Sequence, residues 1–360
     1  MSTKRQREAE APEAQEELPA DFDEAYFEAY DNPEIHALML GDTQRLGSYL
    51  AAIRCHRGAM EVDIGLHGQY GHIEFDRNVP CELELLNRFD EGKLVLDVGA
   101  GSAVLSMLCV LHGKAGHVFA VEASPGMASV ARRLVEINAM QQKVTIIEGR
   151  VEEVELPGKV DIIISEWMGF YLVHESMLES VLAARDRWLK PQGLLLPSSG
   201  RIWAALVEAE ELRKDLAAYE DLLGLDLRPV SSLELQRYAS QPRVENLEPR
   251  RLLAEPVLFA ELPDLRTLPP SGSRQFQAKL SFRSWRRGFA AAVAFWFDVG
   301  FGHDVVLKTD PGSPPTHWKQ TVVYLGAFAE VEAGEVLAAE VTMAQSEENP
   351  RQYNISLETL

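Results

Sequence analysis

The chain has 360 residues, of which 46% are hydrophobic and 25% are charged, and its formal net charge is −20. This is the composition of a globular protein with room for two domains, and no apolar run is long enough to cross a bilayer. The negative charge argues against a nucleic-acid-binding surface and is compatible with basic partners, although many soluble proteins are simply acidic.

The first twenty residues are polar and lack the apolar core of a signal peptide, which predicts a disordered tail over residues 1–20. The KRQR cluster within it could be a weak nuclear address, but a solvated tail is the simpler interpretation. The three cysteines, Cys55, Cys81 and Cys109, show neither metal-ligand spacing nor a disulfide framework. We therefore expect a reducing cytoplasmic or nuclear compartment and no bound metal.

Helical periodicity covers about residues 22–55, and Asn32-Pro33 marks a helix start within it because proline favours the first helical turn. An N-terminal helical unit is therefore predicted over residues 21–57. The next residues, about 58–82, are rich in Gly, His and Asp, a pattern that fits a loop or a small hairpin. We treat residues 58–90 as an insertion of unknown role.

Residues 91–197 alternate between short β-branched runs and segments with helical periodicity. The predicted strands are LVLDV (94–98), HVFAV (117–121), VTII (144–147) and DIIIS (161–165), and the predicted helices cover 102–112, 124–138 and about 175–189. Strands that alternate with helices predict a parallel sheet covered by helices, which is a Rossmann-like α/β domain.

The pattern changes after a boundary at Leu196–Gly200. Residues 208–223 have a helical and charged pattern, and from about 255 onward β-like runs are separated by Pro, Gly and Asp. This predicts an antiparallel sheet or barrel in a second domain over residues 198–360. Apolar residues recur at helical spacing near its start and could pack on a second subunit or on their own barrel: Leu216, Tyr219, Leu222 and Leu223.

A glycine-rich turn, VLDVGAG, connects a predicted strand with a predicted helix. Gly99 and Gly101 let the backbone approach a ligand, unless they are only structural, and the helix N-terminus favours an anion. Glu122 lies about 25 residues past Asp97, at the end of the next strand, where a carboxylate can accept both ribose hydroxyls. A dinucleotide oxidoreductase shares these features, but its fingerprint needs a glycine where this chain has Val104, so S-adenosylmethionine fits better.

A further candidate ligand contact lies in the loop EGRVE, just after the predicted strand VTII. The carboxylate of Glu152 could bond an adenine amino group. The alternative is a solvated loop acid.

The segment DIIISEWMGFYLVHESM places Glu166 and Glu175 nine residues apart after an apolar strand. Nine residues do not fit one helical face, but they fit a hairpin-like loop whose two ends meet. Two carboxylates brought together repel unless a cation lies between them, and a guanidinium matches carboxylates bidentately. The pair is therefore predicted to hold an arginine, and the alternative is an ion pair with an Arg or Lys of the chain itself.

Together these motifs resemble the protein arginine N-methyltransferases, the type I branch in particular, over about residues 22–55 and 91–355. YFEAY matches the family's Y-F-x-x-Y helix, VLDVGAG its cofactor motif, SEWMGFYLVHESML its double-glutamate loop, and T-H-W at 316–318 its T-H-W loop. HESMLESVLAARDRWLKPQGLLLPS and GFAAAVAFWFDV lean towards the subgroup numbered six. The chain departs from the family in three places: Ala103 replaces the usual third glycine, residues 58–82 form an insertion, and residues from about 210 to 250 match only loosely.

The resemblance implies a class I methyltransferase domain over 91–197, which binds S-adenosylmethionine and releases S-adenosylhomocysteine. An antiparallel β-barrel domain with a helical dimerisation arm at about 212–246 would follow it, and the unit over 21–57 would supply a lid and cofactor helices. The implied cofactor-binding residues are Tyr26, Phe27, Tyr30, His36, Met39, Arg45, Asp97, Gly99, Gly101, Glu122, Val151, Glu152 and Met177. Arg45, assisted by His36, would pair with the cofactor's carboxylate.

The implied catalytic residues are Glu166, Glu175, His317 and Asp42. The two glutamates would clamp a guanidinium, and His317, oriented by Asp42, would accept the leaving proton. The implied substrate contacts are Tyr30, Glu166, Met168, Glu175 and Trp318. Methionines at the positions of Met39 and Met177 are the type I pattern and imply asymmetric dimethylarginine as product.

The expected partners are arginine-containing proteins, Gly/Arg-rich ones among them, and a second copy of the chain in a homodimer. Two other functions stay open. One is a methyltransferase of a small guanidino compound, which the acidic loop alone does not exclude. The other is a catalytically silent scaffold of the same fold, which Ala103 and the insertion motivate.

Overall fold

The computed structural model describes residues 26–27, 30, 32–56, 92–219 and 223–359. The predicted tail, the insertion over 58–90 and Leu222 lie outside these residues. Tyr26, Phe27 and Tyr30 are helical, and we call these three the lid residues. None of the helices in the described part combines the length and the apolar character needed to cross a bilayer.

Two helices follow the lid residues: α1 (Pro33–Gly41) and α2 (Thr43–Cys55). The Asn32 side chain accepts a hydrogen bond of 2.9 Å from the Glu34 N–H and Pro33 comes next, which confirms the predicted helix start. Asp42 caps α2 in the same way, by accepting the Arg45 N–H at 2.9 Å. The turn at Asp42 splits the predicted continuous helical segment into two helices.

A five-stranded parallel sheet forms the centre of the first domain, in the order β3-β2-β1-β4-β5. Its strands are β1 (Leu94–Val98), β2 (His117–Glu122), β3 (Val144–Glu148), β4 (Val160–Ser165) and β5 (Leu189–Leu196). The helices between them are α3 (Val104–Leu111), α4 (Pro125–Ile137) and α5 (Met177–Trp188). The predicted α/β domain is confirmed. The strand order reverses between β1 and β4, and open α/β sheets bind ligands outside the carboxyl ends of strands at such a point.

Most of the second domain consists of antiparallel strands in two sheets. One sheet has the order β7-β12-β10-β6-β8 with β11 beside β10, and the other has the order β14-β13-β9. The first sheet contains β6 (Ser199–Glu208), β7 (Arg243–Glu245), β8 (Val257–Leu262), β10 (Gly288–Gly300), β11 (Val306–Lys308) and β12 (Gln320–Val331). The second contains β9 (Gln275–Arg283), β13 (Val336–Gln345) and β14 (Tyr353–Thr359). The predicted fold class, parallel α/β followed by antiparallel β, is confirmed.

The region predicted as an arm contains two helices: α6 (Glu210–Ala217) and α7 (Arg228–Ala239). The helix predicted over 208–223 is shorter than expected, because α6 covers only Glu210–Ala217. Leu216 is buried within its own chain, and α7 packs on β12. Leu223 is 95% exposed, and further apolar side chains of the arm are also exposed: Tyr219, Leu225, Val230 and Leu233. The arm therefore has an inner face on its own domain and an uncovered apolar surface.

A single hydrophobic core joins the two domains. Its buried side chains run from Val95 in β1 through Trp167 to Phe295 in β10 and Val341 in β13. Because side chains of both domains share this core, the second domain packs directly against the domain with the parallel sheet.

Candidate active site

A large cleft opens at the carboxyl edge of the parallel sheet, beneath the lid residues. It encloses about 1170 Å³ with its open mouth included. The residues that follow β1, β2, β3 and β4 all contribute to its wall, namely the glycine turn and residues Glu122, Gly149 and Glu166. The cleft therefore lies where a sheet of this order binds ligands.

The glycine turn presents bare backbone to the cleft. Gly99 and Gly101 have left-handed φ values of 68° and 53°. A Cβ at Gly99 would lie 2.1 Å from Met177 Cε, so the methionine would have to move, and the left-handed φ itself disfavours a side chain there. Ala103 also has a left-handed φ, 57°, and is fully buried. Left-handed backbone costs a residue with a Cβ roughly 1–2 kcal/mol, which the buried contacts of Ala103 offset.

Glu122 stands beside this turn at the end of β2 and is buried. Its Oε2 accepts the Gly101 N–H at 2.7 Å, and its Oε1 accepts the Ser124 N–H at 2.8 Å. Burial raises the pKa of Glu122, and these backbone hydrogen bonds oppose the rise. Each oxygen has a further lone pair, so the fixed carboxylate can accept two neighbouring hydroxyls, as a ribose contact requires.

Asp97 lies behind the turn and is almost fully buried. Ser106 Oγ donates to its Oδ2 at 2.7 Å, while no hydrogen-bond partner among the described residues reaches its Oδ1. Burial raises the pKa of Asp97 to about 7. A buried acceptor without a partner is costly, and next to a ligand-binding turn it fits a ligand ammonium group or an ordered water.

Glu152 is fixed on the opposite wall of the cleft, in the loop after β3. Ser180 Oγ donates to its Oε1 at 2.6 Å, and the Arg150 guanidinium lies 4.0 Å from its Oε2. The neighbouring Val151 lines the cleft and is buried. A carboxylate held in this way can accept an amino group from a ligand ring.

Glu166 and Glu175 stand at the two ends of a tight turn after β4. Hydrogen bonds of 3.1 and 3.0 Å join the Gly169 and Leu172 backbones in both directions. A Cβ at Gly169 would lie 2.1 Å from the carbonyl oxygen of His174, so the turn needs glycine there. The predicted hairpin-like loop is confirmed, and both glutamates line the cleft.

The Glu175 carboxylate receives two hydroxyls from the lid residues. Tyr30 OH donates to its Oε2 at 2.8 Å and Tyr26 OH donates to the same oxygen at 3.0 Å. Burial raises the pKa of Glu175, the two tyrosine hydrogen bonds lower it, and the nearby Glu166 raises it. Because both hydroxyls bind Oε2, the Oε1 atom remains for an incoming guanidinium N–H.

The Glu166 carboxylate is paired with a cation of its own chain. Arg45 Nε donates to its Oε2 at 3.2 Å, and the Met168 N–H donates to its Oε1 at 3.1 Å. Arg45 also donates through Nη1 to the Met39 carbonyl oxygen at 3.1 Å. Glu166 therefore forms an ion pair within the chain, as the alternative interpretation expected, yet each of its oxygens keeps a second lone pair that can accept a further N–H. The Nη2 group of Arg45 remains as a donor for a ligand carboxylate.

His317 and Asp42 form a direct hydrogen bond, and neither residue is among those that line the cleft. His317 Nδ1 lies 2.7 Å from Asp42 Oδ2, and the His317 backbone N–H donates to the same oxygen at 2.9 Å. Burial raises the pKa of Asp42, but the hydrogen bonds from His317 and from the Arg45 N–H outweigh it, so the pKa is lowered. An ionised carboxylate only accepts hydrogen bonds, so Nδ1 holds a proton and Nε2 is the ring nitrogen that can accept one.

Trp318 supports this arrangement from one side. Its ring centroid lies 4.0 Å from that of His317, and its Nε1–H donates to the Met168 carbonyl oxygen at 2.8 Å. Trp318 therefore connects the loop with His317 to the turn with the two glutamates.

Most predicted site residues line the cleft: Tyr26, Phe27, Tyr30, His36, Met39, Arg45, Gly99, Gly101, Glu122, Val151, Glu152, Glu166, Met168, Glu175 and Met177. The others, Asp42, Asp97, His317 and Trp318, lie behind its wall. His36 Nε2 lies 2.7 Å from the Tyr30 carbonyl oxygen, so it connects α1 to the lid residues. No group of three or more potential metal ligands occurs among the described residues.

Among the residues of the cleft wall that sequence reasoning did not single out are Ser180 and Arg351. Ser180 lies one helical turn after Ser176 in a helix whose pattern gave no reason to single out a serine. Arg351 lies in the turn ENPRQY before β14, where neither periodicity nor a motif marks it. Only the folded chain brings it to Glu175, 176 residues away in sequence.

Comparisons with known proteins agree on the two domains. A family described as methyltransferase domain matches residues 95–193, and one described as arginine methyltransferase oligomerization subdomain matches residues 198–359. A probable protein arginine N-methyltransferase 6 of Arabidopsis thaliana is 34% identical over 376 residues, which cover 94% of this chain and 79% of the relative.

Two solved structures resemble the fold closely. One is the Trypanosoma brucei PRMT1 enzyme-prozyme heterotetrameric complex with AdoHcy, with a TM-score of 0.75 and 29% identity over 92% of this chain and 94% of that one. The other is Arabidopsis thaliana protein arginine methyltransferase 10 in an open conformation, with a TM-score of 0.74 and 30% identity over 93% and 94% of the two chains.

Proposed function

The chain belongs to the protein arginine N-methyltransferase family, and on that premise we propose that it is a type I enzyme, which forms mono- and asymmetric dimethylarginine on protein substrates. It uses S-adenosylmethionine as methyl donor. One observation supports the product type most directly. Glu166 and Glu175 line the same cleft as the glycine turn, and Met39 and Met177 lie in its wall beside them.

The residues of the cleft fit this cofactor. The left-handed turn at Gly99 exposes backbone to the cleft, Glu122 is held for two hydroxyls, and the Oδ1 atom of Asp97 is a buried acceptor without a partner in the described chain. Arg45 has a donor group left for a carboxylate, and Glu152 has an oxygen fixed for an amino group. When bound, the cofactor supplies an electrophilic methyl group on a positively charged sulfur.

The two glutamates would orient the substrate arginine. A guanidinium is protonated at ordinary pH and is a poor nucleophile. Glu166 and Glu175 would accept its N–H groups, draw positive charge towards the nitrogens they bind, and leave electron density on the remaining nitrogen. The lid residues would exclude water and so strengthen these contacts. Most of the rate enhancement is then positioning and electrostatics.

The methylated nitrogen must lose one proton as the new N–C bond forms and the S–C bond breaks. We assign the acceptor role to His317 Nε2, because Asp42 holds the other ring nitrogen in its protonated form. The lowered pKa of Asp42 keeps that carboxylate ionised, so it stabilises the imidazolium that results.

The substrate class and product type can be tested together. The enzyme is incubated with labelled S-adenosylmethionine and a Gly/Arg-rich peptide, and the hydrolysed product is analysed by mass spectrometry. We expect mono- and asymmetric dimethylarginine, no label on a matched peptide with Lys in place of Arg, and weak competition by free arginine. Symmetric dimethylarginine would overturn the type I assignment, and preferential methylation of free guanidino compounds would overturn the protein substrate.

A homodimer is the second part of the proposal. The exposed apolar side chains of the arm, Leu223, Leu225 and Leu233 among them, form a surface that a second copy would cover. The match to an oligomerization subdomain supports this. Light scattering should give the mass of a dimer for the wild type and of a monomer for Leu225→Glu/Leu233→Glu. A dimer that survives both substitutions would refute the role of the arm.

A further inference from the structure

Glu175 has a strained backbone that neighbouring contacts must hold. Its φ is 75° and that of the next residue, Ser176, is 55°, and both are left-handed values that residues with a Cβ rarely adopt. Ser176 starts α5 without a side-chain cap bond to that helix. Strain of this kind at a functional site persists only where the surrounding structure over-determines it.

Residues just before β14 supply that restraint. The Glu175 N–H donates to the Arg351 carbonyl oxygen at 2.7 Å, and Arg351 Nη1 donates back to the Glu175 carbonyl oxygen at 3.0 Å. The next residue is held as well, since Ser176 Oγ donates to the Pro350 carbonyl oxygen at 2.5 Å. Both peptide groups of Glu175 are therefore bonded to one residue of the second domain.

The same guanidinium also holds the lid. Arg351 Cζ lies 3.7 Å from the ring centroid of Tyr26 and 5.4 Å from that of Phe27. The hydroxyl of Tyr26 in turn donates to Glu175 Oε2 at 3.0 Å. Each of Arg351, Tyr26 and Glu175 thus contacts the other two. These three residues join the second domain, the lid and the glutamate turn.

From these three contacts we propose that Arg351 is a positioning residue for the reaction. Its side chain fixes the Glu175 carboxylate in the clamp and couples it to closure of the lid. This inference rests on the proposed function, because it assigns Glu175 to the substrate guanidinium. Arginine suits the role because its planar group can donate hydrogen bonds in its plane while an aromatic ring packs on its face. A lysine would keep the charge but neither the plane nor the fork.

Electrostatics point the same way. The positive charge of Arg351 lowers the pKa of Glu175, against the effect of burial and of Glu166. Arg351 thereby favours the ionised carboxylate that a guanidinium needs.

The test compares Arg351→Gln and Arg351→Lys with the control Arg274→Gln. Arg274 bonds both carboxylate oxygens of Glu179 at 2.8 and 3.1 Å, so it joins the second domain to α5 near the same place. Arg274→Gln removes a contact between the second domain and α5 and leaves the contacts of Glu175 in place. The Glu175 N–H bond to the carbonyl oxygen of residue 351 survives in all variants, so only the side chain is tested.

The first measurement is hydrogen–deuterium exchange of the cofactor-free protein. We expect faster exchange in peptides that cover residues 166–177 for both Arg351 variants, and wild-type exchange there for Arg274→Gln. Unchanged exchange, or the same increase in the control, would overturn the proposal. If Arg351→Gln does not fold, Arg351→Lys gives the answer.

The second measurement is the pH profile of methyl transfer to the peptide. In Arg351→Gln we expect kcat to fall by roughly tenfold or more and the acid limb to move to higher pH, while Arg351→Lys loses rate with a smaller shift. Profiles that match Arg274→Gln would mean a merely structural role. A wild type that methylates no peptide would refute the proposed function alone, because the exchange experiment needs no activity.

Discussion

Arg45 and Glu166 form an ion pair with 3.2 Å between Nε and Oε2, in a place where both side chains are about nine-tenths buried. The pair connects helix α2 with Glu166, one of the two glutamates of the proposed guanidinium clamp. Arg45 therefore neutralises Glu166 before any substrate arrives, so that the two glutamates of the clamp can lie in one cleft with less mutual repulsion.

This relationship predicts that Arg45→Lys impairs both halves of the site. A lysine lacks the planar fork whose separate nitrogens, Nε and Nη1, bond Glu166 and the Met39 carbonyl oxygen. We expect weaker S-adenosylhomocysteine binding by calorimetry and a loss in kcat/KM of roughly tenfold or more. The control is Arg132→Lys, whose exposed pair with Glu148 should be worth about 0–1 kcal/mol. Equal effects of the two substitutions would contradict the role given to Arg45.

Asp42→Asn should reduce kcat by roughly a hundredfold. The carboxylate accepts three N–H groups, from Arg45 and twice from His317, and an amide has only one acceptor oxygen for them. The free energy of unfolding should also fall by about 1–2 kcal/mol, from the weakened cap and bonds. Asp161→Asn is the control, since Asp161 binds the Leu94 N–H at 3.0 Å far from the cleft. Asp161→Asn should lower the free energy of unfolding and leave kcat unchanged. A similar loss of kcat in Asp161→Asn would contradict the role of His317 as proton acceptor.

Tyr30→Phe should shift the acid limb of the kcat/KM profile to higher pH. The hydrogen bond from Tyr30 lowers the pKa of Glu175, so its removal raises that pKa and the carboxylate is protonated at a higher pH. Tyr26→Phe should act in the same direction. Tyr171→Phe removes a hydroxyl that bonds His174 instead, and it should leave the limb in place. An unshifted limb in both lid variants would show that Glu175 does not control it.

Asp97 should make the cofactor-free protein less stable as the pH rises from about 4 to 7. Its pKa is about 7 in the folded protein and has the ordinary value of 3.8 when unfolded, so in this window only the folded state holds the proton. The stabilising contribution of Asp97 is fully present below the pKa of the unfolded state and is lost as the pH approaches the pKa of the folded state. The free energy of unfolding should fall by at most about 1.4 kcal/mol per pH unit. Urea unfolding of wild type and Asp97→Asn should therefore give stability curves that diverge over this range. Parallel curves would contradict the raised pKa of the buried Asp97 carboxyl group.

The sequence was sufficient for elements with strong periodicity. The β-branched runs of the parallel sheet and the helix start at Asn32-Pro33 were confirmed, because burial and capping leave clear marks in the chain. The strand β13, VLAAEVTMAQ, was not predicted, since alanines and glutamates weaken its β pattern. The helix α7 was expected only from the family resemblance, as part of the helical arm, because its own apolar residues show no helical face.

The candidate site likewise contains a part that the sequence could predict and a part that it could not. Glu166, Glu175 and the glycine turn belong to motifs within single segments, and motifs could be recognised. The Arg45–Glu166 pair and the contacts of Arg351 join residues more than a hundred positions apart, and nothing local in the chain encodes them. Such contacts are fixed by tertiary packing and appear only in the structure.

The most direct test of the clamp is the single-turnover rate of methyl transfer to an arginine peptide, with saturating S-adenosylmethionine, for Glu175→Gln beside Glu179→Gln. The amide keeps the size of Glu175 but removes the charge that a guanidinium needs, whereas Glu179 lies two residues into α5 and pairs with Arg274 outside the cleft. We expect a loss of roughly 10²–10³ in rate for Glu175→Gln with cofactor binding retained, and a wild-type rate for Glu179→Gln. A wild-type rate in Glu175→Gln would contradict the guanidinium clamp on which the account depends.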